Sequence, residues 1–257
     1  MNHSPASPPS PRRRLALARA CTVAAAALLA AGAATPARAA DVVSEVRPIG
    51  SFRSVRLIGS ADLVLRQADQ TTLTAEADKG AIGNLRAEVR GDELVLSYEP
   101  KRGTIWFSSD QKGPRFVLAT KTLDRISTAG NGDVRADDFT VQGDFEISVA
   151  GSSDIQVRTL AARKLLVRIS GSGDVTLGGG VLEQNVRIAG SGDYRGAGLQ
   201  SASATVSIGG SGDAVLWARD NLSVKIAGSG DVKYYGRPAV TKSVAGSGSV
   251  TGLGDKP

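Results

Sequence analysis

Seven aspartates each close a turn of nearly constant composition. They are Asp62 in Gly59-Ser60-Ala61-Asp62, Asp133 in Gly130-Asn131-Gly132-Asp133, Asp154 in Gly151-Ser152-Ser153-Asp154, Asp174 in Gly171-Ser172-Gly173-Asp174, Asp193 in Gly190-Ser191-Gly192-Asp193, Asp213 in Gly210-Ser211-Gly212-Asp213 and Asp231 in Gly228-Ser229-Gly230-Asp231. An eighth turn, Gly246-Ser247-Gly248-Ser249, ends in serine instead. Two chemistries suit a carboxylate there. A row of them can hold Ca²⁺ along one edge, as in rolls built on Gly-Gly-x-Gly-x-Asp, or each can cap free backbone N–H groups of a tight turn. Those rolls repeat their motif every nine residues or about that, so that facing turns share each ion. Here it comes once in about twenty residues, and the opposite segments Leu177-Gly178-Gly179-Gly180 and Ala218-Arg219-Asp220-Asn221 do not repeat it. Corner capping is the expected role, and no metal or other cofactor is expected. Adjacent unit charges about 5 Å apart repel by about 0.8 kcal/mol in water and about 3 kcal/mol at intermediate dielectric. Such a column therefore needs solvent, hydrogen bonds or cations around it.

A second series, Arg168, Arg187 and Lys225, falls at one aligned position and is interrupted by Ser207. It reads either as a stripe that meets an acidic polysaccharide or as a solvated face that keeps exposed strands soluble. Trp106 and Phe107 are neighbours in a chain poor in aromatics, inside the excursion Lys101–Gly113. A protruding pair would make a platform for a sugar or partner; folded back, it would seal one end of the domain. Trp217, Tyr234 and Tyr235 follow corner strands, and alternation turns Tyr234 inward and Tyr235 outward.

Catalytic chemistry has little to work with. Residues 1–39 read as a cleaved signal peptide: Arg12-Arg13-Arg14 supplies the basic region, an Ala/Leu-rich stretch from about Ala20 to Ala34 the apolar region, and Ala37-Arg38-Ala39 the small-x-small cleavage site. Export to the periplasm or cell exterior follows. The segment also holds the only His, Cys and Met (His3, Cys21, Met1), so the mature chain lacks a thiol nucleophile, an imidazole base and the usual zinc ligands. Its five arginines meet no acids, and removing them lowers the formal charge from +6 to +1. The alkaline pI therefore belongs to the signal and does not indicate nucleic acid. Lyases and glycosidases on β-helices use paired carboxylates with Arg or Lys. They build clefts from long loops, which the short connections after Gly130 do not supply. A polysaccharide-acting enzyme is the alternative to a non-catalytic module.

The elements that must position these residues follow from the spacing. From Gly130 onward the first glycines of successive turns lie 21, 20, 19, 20, 18 and 18 residues apart, a period of stacked units. Seven residues before each turn's last position stand Val55, Ile126, Ile147, Val167, Val186, Val206 and Val224; five before stand Leu57, Thr128, Val149, Ile169, Ile188, Ile208 and Ile226. Between them lie Arg56, Ser127, Ser148, Arg168, Arg187, Ser207 and Lys225. This period-two alternation of β-branched and polar residues predicts half-buried strands. After each turn the apolar series resumes at Leu63, Val134, Ile155, Val175, Tyr194, Ala214, Val232 and Val250. The expected fold is all-β: a parallel β-helix or β-solenoid of roughly eight coils, each strand, Gly-rich corner, strand and short connection. Residues 40–257 form a single domain, with less regular strands over 40–123 and regular coils over 124–257. The N-terminal stretch predicts either irregular coils or a small antiparallel layer closing that end. Lys242, at the inward position of the last repeat, predicts a cap.

The serial SGSGD and AGSGDV turns, followed by Tyr234-Tyr235-Gly236-Arg237-Pro238 and a last Ala245-Gly246-Ser247-Gly248, closely resemble the head GIN domain family, a head domain of autotransporter adhesins. The resemblance runs from about Phe52 to Leu253. It implies a β-helical fold on an exported bacterial protein at or near the envelope, and it brings no ligand and no catalytic residues. Neither a lipobox cysteine nor a membrane-spanning tail is present to anchor the mature chain. The expected partners are an envelope glycan or another envelope protein.

Overall fold

A computed structural model of the protein describes residues 42–99 and 113–256. The described strands belong to one unit within residues 40–257. Its first part contains β1 (Val42–Arg47), β2 (Ser54–Gly59), β3 (Asp62–Gln67), β4 (Thr72–Asp78), β5 (Leu85–Arg90), β6 (Glu93–Tyr98) and β7 (Arg115–Thr120). The repeats follow as β8 (Arg125–Gly130), β9 (Val134–Thr140), β10 (Asp144–Gly151), β11 (Ile155–Gly171), β12 (Val175–Gly190), β13 (Tyr194–Gly210), β14 (Ala214–Gly228), β15 (Val232–Tyr235), β16 (Ala239–Gly246) and β17 (Val250–Gly252). From β8 onward the pairing is parallel and in register: Gly130 sits against Gly151, Gly151 against Gly171, and so on to Gly228 against Gly246. The result is a parallel β-solenoid.

Alternation explains the core. Val55, Ile126, Ile147, Val167, Val186, Val206 and Val224 are buried and stand one on another in neighbouring rungs. Thr128 is buried in the neighbouring column, its hydroxyl unpaired. Burying one such aliphatic side chain is worth about 1.5–3 kcal/mol, and an unbroken column collects that term at each rung. At the last rung Val224 pairs with Lys242, and every residue of β16 is exposed, since no described strand stacks on its other side.

Two expectations need correction. The chain completes about six turns, not eight. Between Gly59 and Gly130 the described strands do not make one regular coil: β6 and β7 pair in parallel with β2 and β3 as a further rung, and beyond them β5 pairs antiparallel with β6, β4 with β7 and β1 with β4. The irregular pattern before Leu123 thus holds both expected features, a parallel rung of β6 and β7 and an antiparallel layer of β1, β4 and β5 at that end. Secondly, the expected connection between strands vanishes in the middle coils. β11, β12, β13 and β14 run 15 to 17 residues without a break, bending through register shifts such as that between Val157 and Leu160. Leu177–Gly180 and Ala218–Asn221 lie within strands, although the ladders shift register beside both segments and leave some of their residues paired on one side or on neither.

Candidate functional site: corner column, cationic sheet face and groove

At each corner a glycine with positive φ turns the chain. Gly190 has φ +136°, and a Cβ there would come under 3 Å of the Gly171 backbone one rung away. Only glycine combines that dihedral with that approach. The corner Ser191 N–H donates to the Gly171 carbonyl at 2.9 Å, and Ser172, Ser211 and Ser229 repeat the bond on their own rungs.

The turn places the aspartates in a column. The Asp133 N–H donates to Asp62 Oδ1 (3.0 Å), Asp154 to Asp133 (3.1 Å), Asp174 to Asp154 (3.0 Å), Asp193 to Asp174 (2.9 Å), Asp213 to Asp193 (3.0 Å) and Asp231 to Asp213 (2.8 Å). The Ser249 N–H and hydroxyl both donate to Asp231 Oδ1 at 2.8 Å, and these bonds, the hydroxyl's foremost, hold the Asp231 carboxyl below its ordinary pKa. Each carboxylate therefore caps the amide of the next rung. Arginines two residues after an aspartate cover part of the column: Arg135 reaches Asp133 (3.2 Å) and Asp62 (3.8 Å), and Arg195 reaches Asp174 (2.7 Å) and Asp193 (3.1 Å). Burial pulls the Arg195 pKa down, but the two carboxylates outweigh it and the net shift is upward. Among the described residues no three His, Cys, Asp or Glu side chains converge as metal ligands.

The outward face of the sheet that precedes the corner carries the basic series. Arg168 stands beside Arg187 in register, Arg187 beside Ser207, and Ser207 beside Lys225. Arg168 is tied to Glu146, which also accepts from Arg125 Nε at 3.2 Å. Arg187 and Lys225 are exposed and have no carboxylate partner among the described residues. Trp106 and Phe107 lie outside the described residues. Tyr234 and Tyr235 are both half-buried, Tyr234 packed against the core, while the Lys256 ammonium stands 5.3 Å from the centre of the Trp217 ring.

Sequence reasoning missed a groove of about 690 Å³ at the N-terminal end of the same face. Leu123, Val141 and Phe145 line it with Asp124, Glu146 and Lys164. Arg53 grips Asp124 (2.7 Å through Nε), Arg163 grips Asp144 (2.8 Å), and Glu146 is shared as above. Arg125 and Glu146 each stand eight residues before a corner aspartate. Aligning the repeats one position further out would have put this opposite-charge pair on adjacent rungs.

Residues 51–238 match the family described as "Putative auto-transporter adhesin, head GIN domain". Several solved structures are similar. A "putative adhesin" from Bacteroides fragilis is 22% identical with a TM-score of 0.73, over 84% of this chain and 98% of that one. A "putative lipid binding protein" from Parabacteroides distasonis is 24% identical with a TM-score of 0.66, over 82% and 96% of the two chains. A "putative adhesin" from Parabacteroides merdae is 20% identical with a TM-score of 0.61, over 82% and 96%. Identities this low speak for the fold alone. Among proteins with curated descriptions, none matches the sequence. The repeated Gly-Ser-Gly-Asp corner, the in-register stack it builds and a family match over most of the chain agree: this protein belongs to the head GIN domain family.

Proposed function

We propose that this chain is an exported, non-catalytic binding module of the bacterial cell envelope, presenting ordered rows of polar side chains to a repetitive partner such as a glycan. The observation that carries this reading is the in-register sheet face. Stacked rungs about 4.8 Å apart repeat Ser, Thr, Asn and basic side chains along one direction, a surface suited to a partner that is itself periodic. The family's adhesin description supports a surface role, and the export signature in residues 1–39 supports the location. The non-catalytic part rests on the state of the carboxylates. Those of the corner column cap amides, and Asp124, Asp144 and Glu146 in the groove are each held by arginine. A general acid or nucleophile needs a carboxyl free to meet the substrate.

The test is a glycan array probed with the purified protein, with and without Ca²⁺, beside an assay for depolymerisation of the polysaccharides it binds. Calcium-independent binding without cleavage is expected. Cleavage at ordinary enzymatic rates would overturn the non-catalytic reading.

A further inference from the structure

The charges on the sheet face before the corner are distributed unevenly along the stack. Towards the N-terminal end every arginine on this face is matched: Arg56 with Glu93 (3.4 Å), Arg125 and Arg168 with Glu146. Beyond Glu183, which pairs with Lys164 at 3.0 Å, the balance is lost. The face segments Gln184–Gly190 of β12, Ser203–Gly210 of β13, Asn221–Gly228 of β14 and Ala239–Gly246 of β16 contain no carboxylate at all, yet carry Arg187 and Lys225 pointing outward. Beside this row runs a second one in register, Asn185, Thr205 and Ser223; the Asn185 amide oxygen is buried, which leaves its NH2 and the two hydroxyls to meet a ligand. The neighbouring positions Ala189, Gly209 and Ala227 are small, so nothing projects over the row from the corner side. Past the corner Asp213 and Asp231 bound the face with negative charge, while Arg195 covers Asp174 and Asp193.

From this uncompensated charge we infer that the C-terminal half of the face, centred on Arg187 and Lys225 and flanked by Arg168, Asn185, Thr205 and Ser223, binds a linear anionic polysaccharide lying along the solenoid axis. The geometry selects the class. Arg187 and Lys225 are two rungs apart, so the two uncompensated cations stand about 9.6 Å from each other along a straight line, with the Glu146-bound Arg168 one rung further on. An extended polymer with a carboxylate on each sugar, or on every second one, meets these cations while its hydroxyls meet the Asn/Thr/Ser row. A single small anion would use one cation and gain nothing from the alignment. Asp213 and Asp231 across the corner repel a polyanion that strays and confine it to the face. This inference rests on the reading of the domain as a binding module and names its ligand class.

The experiment measures binding of the purified full chain to polygalacturonate and to its fully methyl-esterified counterpart, which keeps the sugar backbone and removes the charge. Binding to the acidic polymer alone, weakening steeply as NaCl rises, is the expected result. The double variant Arg187→Glu/Lys225→Glu is expected to weaken it at least tenfold. Lys79→Glu/Arg86→Glu, which changes the net charge equally at the N-terminal end, is expected to leave it within about twofold. Thermal melts establish that both variants fold. Equal binding of the esterified polymer, or equal loss in the two variants, would overturn the inference. So would preference for vesicles of anionic phospholipid over polygalacturonate, which would make the partner a membrane surface. Binding to a neutral glycan that survives Arg187→Glu/Lys225→Glu would overturn it while leaving the binding-module reading intact. Absence of binding to any glycan or envelope fraction would overturn both.

Discussion

At the residue scale the corner aspartate is a capping group whose partner lies one coil away, so its loss is felt between rungs. Asp174 accepts the Asp193 amide and holds Arg195. Asp174→Ala is expected to destabilise the protein by about 1–2 kcal/mol, read as a lower urea midpoint with an unchanged m-value. Asp174→Asn keeps an acceptor and should lose less. Asp231 reports the same chemistry through pH. Its carboxyl is held below the ordinary value by Ser249, so the stabilisation is present above the unfolded pKa and disappears as pH falls through the folded one. Ser249→Ala should move the Asp231 titration, followed by NMR, up towards the ordinary carboxylate range. An unmoved titration would show that the serine hydroxyl is not the cause.

At the scale of elements, one polar chain crosses the apolar interior. The Tyr194 hydroxyl donates to Gln184 Oε1 (2.8 Å), Gln184 Nε2 to Ser201 Oγ (2.8 Å), and the Ser201 hydroxyl to the Trp217 carbonyl (3.0 Å), joining β12, β13 and β14. Burial raises the Tyr194 pKa far above its ordinary value, so the phenol stays a donor. A Cβ at Gly196 would strike the Tyr194 ring, which explains the glycine opposite it. Tyr194→Phe strands a buried amide oxygen and is expected to cost about 1–3 kcal/mol. The end of the stack shows the opposite device. Lys242 stands where lower rungs place valine or isoleucine, on a strand that is an edge among the described residues. An inward charge on an exposed edge opposes further pairing. Lys242→Val is expected to promote self-association, visible by light scattering on size exclusion, with Val240, Val244 and Leu253 already partly exposed nearby.

At the scale of the whole solenoid, each coil touches only its neighbours, so stability propagates along the stack and local opening starts at its ends. Hydrogen exchange is expected to be fastest in β16 and β17, each paired on one side only among the described residues, and slowest from β11 to β13, paired on both sides. Uniform protection along the stack would mean that the solenoid opens only as a unit. The same linear logic makes the sheet face a periodic surface, which no single coil could provide, and joins the groove near Glu146 to the cationic row beyond it.

The coil period, the inward Val/Ile columns, the glycine corners and most strands of the N-terminal layer were legible in the sequence, because each is written in local spacing or in period-two alternation. Which of the less regular strands pair antiparallel was not legible, since partners such as β1 and β4 meet non-locally. Continuous strands in place of connections also needed the structure: whether a glycine-rich segment is a turn or a strand depends on neighbours above and below that satisfy its backbone. The aspartates could be counted in the sequence, but their bond to the next rung's amide exists only once the coils stand in register. The groove and the uncompensated cations were decided the same way. A charge is paired or free according to what lies one rung away, about twenty residues distant along the chain, and stacking alone sets that distance.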